Sequence, residues 1–351
     1  MFNRLLVVFI LALGFAAAGT PLLRRLALRL GVVDRPNARK LQKVPIPLLG
    51  GLAIVAGVLI ALAGVGDELT RQQDTLRQVA AILAGAVLLA AMGLWDDHRP
   101  WPAYAKLAVQ LVAAGLMIWS GVSVQLFRIP AADLAITVVW VVGITNAVNF
   151  LDNMDGLSSG VVAVAASFFA LIALLQDTPQ FLVGGLAAAV AGGSLGFWYH
   201  NFYRGPAGIY MGDVGSLFLG YLLAMLGIKL RFPDNSSVVT WMVPVLVLGL
   251  PIFDTTLVVL SRLRRGVNPM TTPGLDHVSH RLVEGGLTRR EAVLSLYLVC
   301  GVLGMIAVFT TRATPLEAYA VGGVIALIAI YMLWRMEWRR TQTKTEKTAP
   351  P

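Results

Sequence analysis

Two long apolar runs of the chain are joined by the polar segment Asn146-Ala147-Val148-Asn149-Phe150-Leu151-Asp152-Asn153-Met154-Asp155-Gly156-Leu157-Ser158-Ser159-Gly160. Asparagine and aspartate are more frequent in it than a simple turn requires. Apolar residues interrupt the alternation of oxygen ligands and no closing glutamate follows, so the segment does not match an EF-hand calcium loop. Helical spacing instead places Asn149, Asp152 and Asn153 on one face, with Asp155 nearby. The pattern predicts a functional polar cluster at the junction of two membrane helices.

The flanking apolar runs belong to a series that continues along the whole chain. The chain is 57% apolar and 13% charged, whereas charged residues make up about 25% of a soluble globular protein. Runs of about 20 apolar residues have the length of a helix that spans a bilayer. We therefore predict an all-α polytopic membrane protein with about eleven transmembrane helices. The predicted spans are Leu5–Leu23, Leu48–Val65, Val79–Trp95, Tyr104–Gly121, Leu134–Val148, Leu157–Leu175, Phe181–Tyr199, Val214–Leu230, Val239–Leu260, Val293–Phe309 and Leu316–Trp334.

The distribution of basic residues predicts the orientation of these spans. With the N-terminus outside, the inner loops and the C-terminal tail carry 21 of the 28 Lys and Arg residues, and the outer segments carry 7. This asymmetry predicts an N-out, C-in topology in the plasma (inner) membrane. It also assigns the net charge of +9 to topology and to anionic lipid headgroups, so no nucleic-acid partner is expected. Residues 1–338 are predicted to form one membrane domain, and residues 339–351 a polar, disordered tail.

Two further acidic motifs fall on the same predicted cytoplasmic side. Asp96 and Asp97 end an apolar run, where adjacent carboxylates are costly near lipid. They form either a metal-phosphate or acid/base pair, or a helix-end pair that faces water. Asp213 lies among glycines in Met211-Gly212-Asp213-Val214-Gly215, which would let a phosphate or ion approach the backbone. Its alternative role is that of a helix N-cap.

Single residues elsewhere are less specific. Lys106 begins a predicted span, where it either meets a phosphate or extends its ammonium to the membrane surface. Lys43 is either a phosphate contact or part of the positive-inside signal. Asp254 lies inside an apolar run, so it is a functional candidate or a bonding partner of a neighbouring helix.

The longest predicted inner loop extends from Ser261 to Arg290. It contains His277, His280 and Arg281, which can donate hydrogen bonds to a diphosphate. A zinc site is a weak alternative because no third cysteine or histidine ligand is present. The arginines from Arg262 to Arg265 are interpreted as contacts to lipid headgroups.

In their order along the chain, these motifs resemble those of the polyprenyl-phosphate N-acetylhexosamine-1-phosphate transferases. The resemblance covers nearly the whole chain and rests on Asp96-Asp97, Asn-Ala-Val-Asn-x-x-Asp-x-x-Asp-Gly-Leu, Met-Gly-Asp-x-Gly-Ser and the histidine loop. The early segment from Val33 to Lys40 is similar too. Members of this family form undecaprenyl-diphospho-sugars from UDP-sugars with Mg²⁺ or Mn²⁺, and they release UMP.

The resemblance implies a role for each matching residue. Asp213 and Asn149 are expected to bind the metal, and Asp96 and Asp97 to act catalytically on the lipid phosphate and its proton. The expected substrate-binding residues are Asp152, Asp155, Lys106, Lys43, His277, His280 and Arg281. One residue departs from the pattern, since Ser279 stands where the nearest branches carry a third histidine.

The expected reaction transfers N-acetylhexosamine 1-phosphate, most simply that of N-acetylglucosamine, from a UDP-sugar to undecaprenyl phosphate. It would begin the synthesis of a cell-envelope polysaccharide such as lipopolysaccharide or teichoic acid. The spaced histidines favour this donor over the muramoyl-pentapeptide donor of peptidoglycan synthesis, which is the first alternative. A polytopic transporter is a second alternative, but it would place charges near the membrane midplane. A covalent intermediate on aspartate and a homodimeric assembly both stay open.

Overall fold

The computed structural model describes residues 1–36, 44–64, 73–205, 207–233, 235–272 and 274–348, with backbone alone for 73–75 and 339–348. Secondary structure within these residues is helical apart from one small antiparallel sheet. Strands β1 (Val33–Asp34) and β2 (Ile46–Pro47) form that sheet. The helices are α1 (Phe2–Leu30), α2 (Gly50–Ala63), α3 (Gln73–His98), α4 (Ala103–Trp119), α5 (Pro130–Leu151), α6 (Leu157–Leu175), α7 (Phe181–Trp198), α8 (Gly212–Lys229), α9 (Ser237–Thr240), α10 (Met242–Val247), α11 (Gly249–Arg264), α12 (Val278–Glu284), α13 (Arg289–Thr310) and α14 (Pro315–Thr348).

The helices fit the all-α polytopic membrane class predicted from the sequence. Among the described residues, 8 helices are long and apolar enough to cross a membrane, namely α1, α3, α5, α6, α7, α8, α13 and α14. Helices α2 and α4 are apolar but shorter, and α9 to α11 form a bent pair that could be one further span. Each of the predicted apolar runs falls on one of these helices or on the bent pair.

The run Val239–Leu260 was predicted as one continuous helix, and this prediction is wrong. The chain bends by 73° between Val247 and Gly249. Proline explains the break, because it lacks an N–H group and its ring clashes with the carbonyl group four residues earlier. Pro251 has this effect on the carbonyl group of Val247.

The C-terminal segment was predicted to be a disordered tail from residue 339, and this stays a prediction. Helix α14 continues to Thr348. The sequence offers no glycine or proline between Trp338 and Thr348 that would end the helix earlier.

Helix α8 lies at the centre of the bundle, where it packs against α2, α3, α5, α6, α7 and α10. Every residue from Val214 to Leu226 is buried, as expected of a helix surrounded on all sides. Its first turn packs backbone to backbone on α2, because a Cβ atom on Gly51 would lie 2.7 Å from the Cα of Gly215. The N-terminal end of α8 is therefore held in one place, and this end carries Asp213.

Candidate active site

The start of α8 requires a glycine immediately before Asp213. Gly212 has a φ of 71°, in the left-handed region that residues with a side chain rarely adopt. A Cβ atom at this position would also collide with the carboxylate of Asp97. The Met-Gly-Asp motif thus allows the chain to turn into α8 while a neighbouring acidic side chain approaches the backbone.

Asp97 caps this helix. The N–H group of Asp213 donates to Oδ1 of Asp97 at 3.0 Å, and that of Val214 donates to Oδ2 at 3.4 Å. A negative charge at a helix N-terminus is stabilising because the first N–H groups have no partner within the helix. Gly93, one turn earlier on α3, brings the two helices close, since a Cβ there would lie 2.5 Å from the nitrogen of Val214. Asp97 was predicted to be catalytic. In the structure its two oxygens accept hydrogen bonds from the backbone of Asp213 and Val214, and so fix the position of Asp213.

Asp96 has a different environment from its neighbour. Its Oδ2 forms an ion pair with Nζ of Lys106, and its Oδ1 accepts the N–H of Trp101 at 2.7 Å. Nζ of Lys106 also lies 3.2 Å from Oδ2 of Asp213. The side chains of Lys106 and Asp213 are 28% and 24% exposed and that of Asp96 is 11% exposed, so this cation is held between two carboxylates that solvent reaches only in part. Such pairing differs from a lysine that merely extends to the membrane surface.

The asparagine-rich segment reaches Asp213 from the opposite side. Nδ2 of Asn149 donates to Oδ1 of Asp213 at 2.8 Å and to Oγ of Ser216 at 2.8 Å. The hydroxyl of Ser216 in turn donates to the carbonyl of Gly212 at 3.1 Å. No role was predicted for Ser216, although its position three residues after Asp213 puts both side chains on one face of α8.

A pair of amide side chains joins α4 to α5 beneath the site. Nε2 of Gln110 donates to Oδ1 of Asn146 at 3.2 Å, and Nδ2 of Asn146 donates back to Oε1 of Gln110 at 2.8 Å. Gln110 lies one turn after Lys106, and Asn146 lies one turn before Asn149. The pair therefore sets the register of the two helices that carry those site residues. The sequence analysis did not identify Gln110, because a single glutamine in an apolar run gives no signal.

Asp152 and Asp155 lie just beyond the end of α5. Surrounding protein atoms and the negative charges of Asp213 and Asp155 raise the pKa of Asp152 to about 7, although its surface is still open to solvent. The exposure of Asp152 and the partial exposure of Lys106 and Asp213 indicate an open recess rather than a closed core. Oδ2 of Asp155 accepts the N–H of Ala207 at 3.1 Å, so this carboxylate also holds the segment that leads into α8.

The histidine loop packs on the asparagine-rich segment. The hydroxyl of Ser279 donates to Oδ1 of Asn153 at 2.7 Å, and the rings of His277 and Phe150 meet edge to face with centroids 6.3 Å apart. Ser279, which departs from the family pattern, thus provides a direct contact between the two motifs. The ring of His280 is partly buried beside that of His277. Burial, the neighbouring His277 and the positive charge of Arg289 lower the pKa of His280.

The guanidinium group of Arg281 is fully engaged by protein. It donates to the carbonyl of Asp276 at 2.8 Å, to the carbonyl of Met336 at 2.7 Å and to the carboxylate of Glu337 at 2.9 Å. In the structure Arg281 therefore anchors the loop to α14, whereas the sequence analysis expected it to bind substrate.

Two arginines that were predicted to contact lipid headgroups pair within the loop instead. Arg262 and Arg265 lie 3.0 and 2.8 Å from Oδ2 of Asp276. Burial alone would raise the pKa of Asp276, but the hydrogen bonds and charges of these two arginines outweigh it and lower that pKa. The loop is therefore a folded element rather than a free basic surface.

Most of the predicted site residues thus lie around one recess at the N-terminal end of α8. Direct hydrogen bonds or ion pairs join Asp96, Asp97, Lys106, Asn149 and Asp213. Asp152 interacts electrostatically with Asp213, and the histidine loop contacts the asparagine-rich segment. Lys43 lies outside the described residues.

The donor atoms of this recess fit a divalent cation that prefers oxygen. Among the described residues, no three His, Cys, Asp or Glu side chains converge as a preformed metal cage. Mg²⁺ needs no such cage, because it binds through one or two carboxylates and completes its shell with water and substrate phosphates. Asp213 and Asp96, held together by the ammonium of Lys106, offer two carboxylates. The amide of Asn149 lies beside them with its nitrogen donating to Asp213, so it would have to turn over for its oxygen to bind a metal ion.

Comparison with known proteins agrees with the motifs. Residues 79–231 match the family model for glycosyl transferase family 4. A probable undecaprenyl-phosphate N-acetylglucosaminyl 1-phosphate transferase of Bacillus subtilis (strain 168) is 34% identical, over 89% of this chain and 86% of that protein. A decaprenyl-phosphate N-acetylglucosaminephosphotransferase of Mycolicibacterium smegmatis is 32% identical, over 83% of this chain and 78% of that protein. A phospho-N-acetylmuramoyl-pentapeptide-transferase of Lactiplantibacillus plantarum is 34% identical, but over 54% of this chain and 63% of that protein.

These matches confirm the resemblance that the motifs indicated. A third of the residues are identical across most of this chain and most of the Bacillus protein, and the matched model covers the described helices from α3 to α8. The chain therefore belongs to glycosyl transferase family 4.

Proposed function

We propose that this enzyme transfers N-acetylglucosamine 1-phosphate from UDP-N-acetylglucosamine to undecaprenyl phosphate and releases UMP. The observation that carries the proposal is the convergence of Asp96, Lys106 and Asn149 on Asp213. Relatives that match most of the chain bear the names of undecaprenyl- and decaprenyl-phosphate N-acetylglucosamine transferases. The cluster provides cationic and metal-binding groups where such a reaction must bring two phosphates together.

The central difficulty of this reaction is the repulsion between two anions. Bound Mg²⁺ or Mn²⁺ would lower that repulsion and stabilise the charge on departing UMP. We assign the metal to Asp213 and Asn149, with Asp96 as the nearest further carboxylate. Lys106 stands between Asp96 and Asp213, so its ammonium can move from a carboxylate to a phosphate oxygen when substrate enters.

The chemistry requires one bond to form and one to break. An oxygen of the lipid phosphate attacks the β-phosphorus of the UDP-sugar, and the bond from that phosphorus to the bridging oxygen breaks. UMP departs with the bridging oxygen and its electron pair. A phosphomonoester has a second pKa near 6, so the acceptor is largely dianionic at neutral pH and needs little help from a base. Asp97 acts through position, since it holds the backbone of Asp213.

The donor is assigned from the extent of the similarity and from the loop. The match to the pentapeptide transferase covers about half of this chain, whereas the match to the Bacillus protein covers 89%. The loop contacts the asparagine-rich segment through Ser279. We infer from this contact that the loop lines the sugar site, because a pocket discriminates between substrates by pairing polar groups with one and leaving them unpaired with the other.

The decisive experiment is UMP release by detergent-solubilised protein with undecaprenyl phosphate and Mg²⁺. UDP-N-acetylglucosamine, UDP-N-acetylgalactosamine and UDP-N-acetylmuramoyl-pentapeptide should each be supplied alone. We expect turnover with the first. If UMP were released from the pentapeptide donor alone, the donor assignment would be wrong but the reaction class would stand. If no donor released UMP, the assignment as an enzyme would be refuted.

We further assign an N-out, C-in topology, with eleven spans and the site at the cytoplasmic face of the plasma membrane. The support is the excess of Lys and Arg in the segments on the side of the site. Reporter fusions placed after Lys43 and after Arg340 should both report cytoplasm. A periplasmic signal from either fusion would contradict the topology.

A further inference from the structure

Asp254 is a carboxylate inside a predicted membrane span. Asp254 is 1% exposed, and it lies in the second turn of α11, the helix that follows the 73° bend. A buried carboxylate in such a position is costly unless partners satisfy it. Its hydrogen bonds within the described residues go to the histidine loop and not to Asp96, Lys106, Asn149 or Asp213, so the proposed reaction leaves its presence unexplained.

The two oxygens of Asp254 have two distinct partners in the histidine loop. Oδ2 lies 2.8 Å from Nδ1 of His277, and Oδ1 accepts the N–H of Val278 at 2.7 Å. The second bond satisfies the first turn of α12, which begins at Val278. The first bond orients the imidazole. A single carboxylate therefore sets both the start of the helix and the angle of the ring that precedes it.

This arrangement determines which nitrogen of His277 is free. A carboxylate can only accept hydrogen bonds, so in neutral imidazole the proton must lie on Nδ1. Within the described part of the chain, the buried side-chain polar atoms without a partner are Ser194 Oγ and Thr255 Oγ1. Nε2 of His277 is not among them and makes no hydrogen bond to a described residue, so we infer that solvent reaches it.

The free nitrogen lies beside the candidate active site. The ring of His277 contacts Phe150, which follows Asn149 directly, and the ring of His280 lies on its other side. Ser279, two residues after His277, donates a hydrogen bond to Asn153. Any solute that occupies the recess over the asparagine-rich segment would thus be adjacent to this imidazole.

We propose that Asp254 is a positioning residue that holds His277 in the Nδ1-protonated tautomer, so that the unprotonated Nε2 accepts a hydrogen bond from a hydroxyl or amide N–H group of the donor. This inference rests on the proposed function for the identity of the donor, but the tautomer itself does not depend on it. The arrangement parallels the partners that fix the tautomer of catalytic or metal-binding histidines, whose loss reduces activity by about 10- to 100-fold or more.

The variant Asp254→Asn separates orientation from folding. The asparagine oxygen can still accept the N–H of Val278, while its amide group must donate to Nδ1 and so force the proton of His277 onto Nε2. We expect kcat for UMP release from UDP-N-acetylglucosamine to fall about 10- to 100-fold, with a thermal midpoint within about 2 °C of the wild type. In a His277→Ala background, Asp254→Asn should cause no further loss, because its effect acts through the missing ring.

The matched control is Asp133→Asn. Asp133 is also a buried carboxylate that accepts two backbone N–H groups, those of Leu126 and Phe127 at 3.1 and 2.8 Å. It lies at the opposite end of α5 from Asn149, so its replacement should leave kcat unchanged. Unchanged kcat in Asp254→Asn, or losses that multiply in the double variant, would overturn the proposal.

A measurement on the wild-type protein tests the tautomer without relying on activity. The chain has 4 histidines, so nitrogen NMR of histidine-labelled protein can be assigned with His277→Ala. Neutral His277 should show a protonated Nδ1, and a protonated Nε2 would refute the inference even if Asp254→Asn did not fold. If the wild type released no UMP, the proposed function would fail while this spectrum still decided the role of Asp254.

Discussion

Replacing Lys106 by methionine is expected to reduce turnover and to strengthen metal binding at the same time. Methionine keeps most of the apolar stem but removes the ammonium that pairs with Asp96 and Asp213. A hydrogen bond to a charged group contributes about 1.5–3 kcal/mol. Water reaches this recess and compensates in part, since the three side chains are between 11% and 28% exposed.

We therefore take the lower bound for both bonds of Lys106, about 3 kcal/mol, as the interaction that substrate phosphate loses. This corresponds to a decrease in kcat/KM of about 150-fold, since each 1.36 kcal/mol is a factor of ten. Two carboxylates without their ammonium should also attract Mg²⁺ more strongly, so half-maximal activity should need less Mg²⁺ than in the wild type.

The assay is initial UMP release as a function of Mg²⁺ concentration, with purified wild type and Lys106→Met side by side. A Lys106→Arg variant serves as the control, because it keeps the charge while changing its geometry. Near-normal turnover in Lys106→Met would show that the lysine only extends to the membrane surface. A higher Mg²⁺ requirement would refute the view that Lys106 competes with the metal.

Three further outcomes follow from the same structure. Asp213→Ala should abolish UMP release, and excess Mg²⁺ should not restore it, because a principal metal ligand is lost; recovery at high Mg²⁺ would argue against that role. The pKa of His280 is lowered from 6.5 by burial and nearby positive charge. The contribution of His280 to the free energy of unfolding should therefore be fully present above pH 6.5 and decline as the pH falls below it. The raised pKa of Asp152 contributes the opposite slope in both proteins, so the test is the difference between them: from pH 7.5 to pH 5 the thermal midpoint of the wild type should fall relative to that of His280→Gln. Gly51→Ala should lower the free energy of unfolding by about 1–3 kcal/mol, because the added Cβ would collide with the backbone of Gly215. Gly185→Ala should be tolerated, because a Cβ there meets nothing within 4 Å.

The sequence predicts the helices well because hydrophobicity and length are local properties. It fails at Val239–Leu260, where Pro251 breaks a run that is apolar throughout. It also predicts several motifs that the structure brings together around Asp213, since clustered Asn and Asp residues stand out beside apolar helices. What it cannot give is the partner of each group. Asp97 and Asp213 are 116 residues apart in the chain, and no spacing rule connects them.

The same limit explains two differences in the histidine loop. Arg281 looks available for a phosphate, but its partner Glu337 lies 56 residues later in the chain. The role of Asp254 stayed undecided because His277 is a distant partner. Both roles depend on how α11, α12 and α14 come together, and that is a tertiary property without a local signature.

The candidate active site is assembled from helix ends, with Asp96 at the end of α3, Lys106 near the start of α4, Asn149 near the end of α5 and Asp213 at the start of α8. In the proposed topology such a site would lie at the depth where hydrocarbon gives way to water. The lipid carrier can thus arrive by lateral diffusion in two dimensions, with its phosphate already at the right height, while the nucleotide sugar arrives from the bulk. Saturation by the carrier should therefore follow its surface density, so that diluting it with inert lipid or detergent slows the reaction at constant bulk concentration.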